Sequence, residues 1–242
     1  GARASTPPFD WENQSTWEAA LNGVQSVYIA FYPDLAIPSA PAAVQALTDL
    51  AVKSGVQRLV LLSGRGETVA QVCEDIVRNS GLEWTVLRAT WFAQNFGEGH
   101  FLEPILSGEV ALPVGSVREP FVDVDDIADV AVAALTEDKH AGQLYELTGP
   151  RLWTFPEAIA EIARAAQRDI RFTTVTPEQY RAALMGLQWP AGVIDLIMYL
   201  FTEVLDGRNA SLTDGVQRAL GRPPRDFADY VKQTAATGVW SA

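Results

Sequence analysis

"QRLVLLSGRGETVAQVCEDIVRNSGLEWTVLRATWF", Gln57 to Phe92, is the stretch that decides the fold class. It begins as a continuous apolar run ending at Ser63-Gly64, the pattern of a strand buried on both faces. Residues 67–82 then space Val69, Val72, Cys73, Ile76 and Val77 along one side of a helix, and Gly81 stops it. Residues 83–92 return to β-forming side chains. A strand, a helix and a strand in this order predict parallel pairing through a right-handed crossover, with helices covering the sheet.

The alternation continues on both sides. Upstream, "GVQSVYIAFYP" (23–33) carries a strand-like run from Val27 to Phe31, stopped by Pro33. "PAAVQALTDLAVKSGV" (41–56) follows, with Val44, Leu47, Leu50 and Ala51 at helical spacing and Gly55 at the end. Downstream, "EVALPVGSVREPFVDVDDIADVAVAALTED" (109–138) predicts a short strand, a turn and a helix N-capped by Asp123 or Asp125. "GQLYELTGP" (142–150) supplies one more strand. From Leu152 onward helices dominate, two of them announced by Thr154 and Thr176 ahead of Phe-Pro-Glu and Pro-Glu. The expected architecture is α/β: a doubly wound, mostly parallel sheet over residues 1–150, and a smaller, mainly helical cap over 151–242. Such sheets place ligands at the carboxyl ends of their strands, here Ala30–Asp34, Ser63–Gly66 and Arg88–Asn95.

Composition narrows the function. Eighteen Lys and Arg against thirty Asp and Glu give the 242-residue chain a net charge of -12, which argues against nucleic acid as a partner. The single Cys73 excludes an intrachain disulfide framework, and no apolar run reaches membrane-spanning length. His100 and His140 are the only histidines, and neither has ligand-type neighbours at metal spacing. Asp123, Asp125 and Asp126 suit a helix start better than a metal. The expectation is a cytoplasmic protein without metal or membrane partner, monomeric or homodimeric, acting on a small molecule.

"LVLLSG" (59–64), "SGLEWTVLRATWFAQNF" (80–96), "FVDVDDIADVAVAAL" (121–135) and "YELTGP" (145–150) together resemble the NmrA-like branch of the atypical short-chain dehydrogenase/reductases. The second is similar to the family's S-G-L-x-x-T-x-L-R-P-x-x-F-x-x-N pattern, with Ala89 in place of the proline. The third is similar to F-V-D-x-x-D-I-A-x-V-A. The resemblance implies a Rossmann-like fold that binds NAD(P). Family members open with a strand, a Gly-rich turn, a helix and a second strand, and nothing of that kind precedes "GARASTPPFDWENQSTW" (1–17). A βαβ unit needs about 30 residues. The fold is therefore expected to be N-terminally incomplete here, without its main pyrophosphate anchor.

Several roles follow from the resemblance. Arg3 and Ser5 would lie beside the adenosine ribose, and an arginine there suits a 2′-phosphate, favouring NADP(H) over NAD(H). Asp10 and Trp11 would flank the adenine, or else serve as a cap and a core residue. At a strand end, the small Ala30 would let the dinucleotide approach, and Phe31 and Tyr32 would wall the nicotinamide or else pack a lid. Ala89, Thr90 and Trp91 would pass the nicotinamide carboxamide, with Tyr32, Trp91, Phe92 and Asn95 facing the substrate. Arg88 is open to a buried pairing with a carboxylate. Ser63 stands where related dehydrogenases carry a catalytic hydroxyl, but the family's Tyr and Lys align with Gly66 and Ala70. No catalytic residue is fixed on that basis. Ser63 reads more naturally as a cofactor or helix-cap hydroxyl, and a lone histidine such as His100 as packing. Two functions remain open: hydride transfer from NADP(H) to a quinone- or enone-like acceptor, or a non-catalytic redox sensor with a protein partner.

Overall fold

The strand predicted from the apolar run Leu59–Leu62 forms as β2 (Arg58–Gly64), with Leu59, Val60 and Leu61 wholly excluded from solvent. The computed structural model describes residues 7–241, which form two packed units. Arg3 and Ser5 lie outside the described residues. Among the described residues, unit 1 runs to 88 and takes in 129–145, and unit 2 holds 89–128 and 146 onward.

In unit 1, α1 (Trp17–Leu21) precedes β1 (Ser26–Ile29), α2 (Ala40–Lys53), β2, α3 (Thr68–Arg78) and β3 (Glu83–Ala89), the last residue of which begins unit 2. The four-stranded sheet runs β1-β2-β3 and then the strand Gln143–Leu147. β1 pairs with β2 in parallel, Ser26 opposite Arg58 and Ile29 opposite Leu61. Leu59 and Leu61 share one face with Ile29 and pack with Val44, Leu47 and Ala51 of α2 and Ala70, Cys73 and Val77 of α3. Val72, expected on that apolar side, is 49 % exposed: the buried stripe runs through Ala70, Cys73, Glu74 and Val77 instead. Arg58 is fixed by Glu83 and Asp138, each at 2.7 Å. These are frame contacts, far along β2 from its carboxyl end.

Unit 2 contains α4 (Leu102–Ser107), β4 (Glu109–Leu112), β5 (Arg118–Glu119) and the first turn of α5 (Val124–Thr136). After the strand Gln143–Leu147, numbered β6, come β7 (Trp153–Thr154), α6 (Phe155–Ala166), β8 (Arg171–Thr174), α7 (Pro177–Gly186), α8 (Ala191–Tyr199), α9 (Gly215–Leu220) and α10 (Phe227–Ala236). Thr154 and Thr176 both close full capping boxes, with Glu157 and Gln179. β4 pairs in parallel with β8, a strand with no signature in the sequence. The core of this unit is aromatic, built on Phe96, Phe101, Phe121, Phe155, Phe227 and Trp240. Among the described residues no helix is long and apolar enough to cross a membrane.

Candidate cofactor and acceptor residues

At the carboxyl end of β1 the chain leaves the strand at Ala30, whose carbonyl accepts the indole N–H of Trp11 at 3.2 Å. The Trp11 ring lies 4.8 Å from Phe31 and 5.1 Å from Phe9, so two sequence-selected rings and the unselected Phe9 form one aromatic ledge. Asp10 organises the approach to it. Its Oδ1 accepts the backbone N–H of Glu12 at 2.9 Å, and its carbonyl accepts the indole of the buried Trp17 at 2.7 Å. Helix capping falls to Asn13, not to Asp10. Tyr32 is 78 % exposed and adds no ring to the ledge.

At the carboxyl end of β2, Ser63 is buried and its hydroxyl donates to Oε1 of Glu74 at 2.6 Å. The same carboxylate receives Nε of Arg88 at 2.9 Å. The expected pairing of Arg88 with a buried carboxylate is therefore present, and its partner is Glu74 on α3. Ser63 does not cap α3, since the cap position is Glu67 and carries no side-chain cap bond. Glu67 instead folds back over the loop: its carboxyl fills the space that a side chain at Gly64 would need. Burial, the neighbouring Asp34 and Glu74 push the Glu67 carboxyl up to about 9, and burial raises Asp34 as well. The two carboxyls share a hydrogen bond, so Glu67 is the proton-bearing partner at neutral pH.

Unit 2 positions the second group. Ala89 and Thr90 are buried; the Thr90 hydroxyl donates to Oε2 of Glu119 at 2.5 Å, and the Thr90 N–H reaches the Leu147 carbonyl at 3.2 Å. Trp91 is half-buried, and its backbone carbonyl accepts Val122 N–H at 2.9 Å. Its ring stands 5.2 Å from Phe201, 5.8 Å from Phe155, 6.0 Å from Phe101 and 6.3 Å from His100. Phe92 opens the short turn Ala93–Phe96 and bridges to Val122, while Asn95 packs against the backbone of Gly99. Asp123 caps α5 through Asp125 N–H, and Asp126 is held by Arg225 at 2.6 Å and Arg222 at 2.7 Å.

Glu67, Glu74, Gln94 and Glu119 went unselected in the sequence. Gln94 ties the two motif segments together: its amide donates to Asp123 at 2.9 Å and its carbonyl accepts Val124 N–H at 2.9 Å. The glutamine between Trp91 and Asn95 carried no local signal, because its partners are thirty positions away.

The ledge tests the cofactor. A flat, amphipathic ring needs an aromatic surface fixed by its polar edge, and Trp11, held through Ala30 beside Phe31, fits an adenine or nicotinamide ring. Comparison with known proteins shows the family. Residues 2–138 match the family model described as NAD(P)H-binding. The chain is 32 % identical to the NAD(P)H azoreductase of Xenophilus azovorans over 96 % of this chain and 82 % of that protein. The structure of the NADPH-dependent quinone oxidoreductase of Escherichia coli with NADPH superposes with a TM-score of 0.79 at 20 % identity, covering 94 % of this chain and 82 % of that one. A double mutant of NmrA superposes with a TM-score of 0.67 at 16 % identity, over 94 % and 79 % of the two chains.

Proposed function

This chain belongs to the NAD(P)H-binding family and shares its fold with NmrA, and we propose that it is an NmrA-like, NADP(H)-dependent oxidoreductase passing hydride to a small quinone- or enone-like acceptor. The observation that carries the reading is Trp91, an indole with four aromatic or imidazole neighbours that keeps part of its surface in solvent. That is a wall for a planar acceptor. The similarity to an azoreductase supports the same class of chemistry, since azo compounds and quinones both take a hydride and a proton. When bound, reduced nicotinamide supplies two electrons as hydride, and one proton from water completes a hydroquinone.

The chain's own residues then bind and orient. Trp11 would cover the adenine, with Asp10 shaping the turn, and Ala30 and Phe31 would line the cofactor beside it. Ala89, Thr90 and Trp91 would lie along the nicotinamide, Thr90 fixed by Glu119. Tyr32, Trp91, Phe92 and Asn95 remain the acceptor positions. Ser63 is a cofactor-side hydroxyl whose proton is committed to Glu74, so positioning carries the rate rather than an acid–base pair. A preference for NADP(H) rests on Arg3, with Ser5 beside it. Arg3→Ala should weaken NADPH about tenfold and leave NADH unchanged; equal losses would make Arg3 structural. A single cysteine, with no disulfide framework to form, suits a reducing, cytoplasmic setting.

One observation favours a second reading. With Ser63 bonded to Glu74 and Gly66 and Ala70 where Tyr and Lys would stand, the usual dehydrogenase proton donors are replaced, as suits a dinucleotide-binding sensor with a protein partner. Stopped-flow NADPH oxidation over a panel of quinones and enones separates the two. Saturable turnover supports the enzyme. NADPH binding without oxidation of any acceptor assigns the sensor.

A further inference from the structure

His100 is half-buried in unit 2, its ring 4.1 Å from Phe101 and 6.3 Å from both Trp91 and Phe201. Its Nε2 is shut off from solvent and has no hydrogen-bond partner. The other histidine shows the contrast. His140 is bound through Nδ1 to the Tyr145 hydroxyl at 2.8 Å, and its Nε2, though also without a hydrogen bond, sits 3.9 Å from the Glu137 carboxylate. His140 is thus tied into a polar frame, whereas the ring of His100 has aromatic neighbours and its Nε2 has no hydrogen bond. Phenylalanine would fill that place with no polar atom to strand, and a buried polar atom left unpaired is a standing penalty that a bound group can remove.

Resting on the hydride-transfer reading above, we propose that His100 is an acceptor-binding residue whose Nε2–H bonds the carbonyl oxygen of a planar, electron-poor ring lying in the Trp91 aromatic group. The substrate class is therefore a ring ketone of the quinone or cyclic enone type, not an apolar arene. Burial lowers the His100 pKa to about 4, so the ring is neutral at physiological pH and offers one N–H as donor. The same bond acts in the reaction. As hydride adds to the ring, negative charge grows on that oxygen, and a donor already aimed at it strengthens without rearrangement.

Duroquinone is a suitable probe, because its four methyl groups block addition of thiols. In the full chain labelled with nitrogen-15 histidine only two imidazoles are seen, and His100→Phe assigns them. Duroquinone should shift the Nε2 resonance of His100 and leave that of His140 in place. His100→Phe should weaken duroquinone binding about tenfold, and His100→Gln, which keeps an N–H donor, should recover part of it. A silent His100 resonance at saturation, unchanged affinity in His100→Phe, or no binding of duroquinone would each overturn the assignment. The two readings fail separately. A shifted resonance in a protein that never oxidises NADPH keeps the contact and sinks the oxidoreductase, while quinone turnover with a silent His100 does the reverse.

Discussion

The hydroxyl of Ser63, at the carboxyl end of β2, donates to Oε1 of Glu74 at 2.6 Å, and Arg88 on β3 grips the same carboxylate. Glu74 is almost wholly buried, so one internal charge is satisfied by one cation and one hydroxyl. A serine at a dehydrogenase-like position is thereby drawn into the frame of the sheet.

The first prediction sets this serine against Trp91. Ser63→Ala should lose about 1 kcal/mol of stability and keep single-turnover NADPH oxidation within about threefold of the parent. Trp91→Ala removes the ring proposed to hold the acceptor, and misplacement near reacting atoms costs on the order of a hundredfold. A collapse in Ser63→Ala, with a new titration in the rate between about pH 6 and 9, would restore an acid–base role to the hydroxyl.

A pH-dependent stability belongs to Glu67. Its folded value, about 9, lies above the usual 4.5, so the native state keeps a proton that the unfolded chain has released. The stabilisation is complete below about pH 4.5 and is lost as pH rises toward 9. Glu67→Gln keeps an N–H donor for Asp34 and carries no charge. It should therefore gain on the parent by at least about 1 kcal/mol between pH 5 and pH 8, read from urea midpoints at each pH. Parallel pH profiles would show that Glu67 is not the proton-bearing carboxyl.

His100 works in the opposite sense. Burial holds its folded value near 4, below the ordinary 6.5, so the unfolded chain takes up a proton that the native state refuses. Stability from this site is full above about pH 6.5 and drains away as pH falls toward 4. Comparing parent and His100→Phe at pH 7 and pH 5, the parent should lose about 1–2 kcal/mol more than the variant. The same loss in both would place the His100 ring in water.

Packing in unit 2 can be tested at Gly215, the first residue of α9. A Cβ there would stand 2.0 Å from the Glu146 carbonyl oxygen, which belongs to β6 and cannot swing aside. Gly215→Ala should cost roughly 2 kcal/mol or more, seen as a lowered midpoint in thermal unfolding. Gly192, with nothing within 4 Å of its Cβ position, is the control: Gly192→Ala in α8 should be neutral or stabilising by up to about 1 kcal/mol.

The sequence by itself determined the β2–α3–β3 alternation, the helix starts at Thr154 and Thr176, and the choice of strand ends at which to look. Each of those signals is local. Apolar periodicity, a glycine stop and a capping box act within one or two helical turns, so they are written in neighbouring letters. The family resemblance singled out Trp11, Ala30, Thr90 and Trp91, and the structure joins Trp11 to Ala30 and gathers aromatic rings around Trp91. Tertiary structure alone decided which charges meet. Glu74 reads as a surface position of a helix until α3 lies against β2 and β3, where Ser63 and Arg88 close on it. Glu67 becomes a protonated acid because packing buries it and sets Asp34, from a loop thirty-three positions earlier, beside it. β4 finds β8 across some sixty residues, and His100 is left with an unpaired nitrogen by rings from Phe101 and Phe201. Hydrogen bonds and desolvation depend on distances of a few ångströms, and those distances are set by how the elements pack, not by their order along the chain.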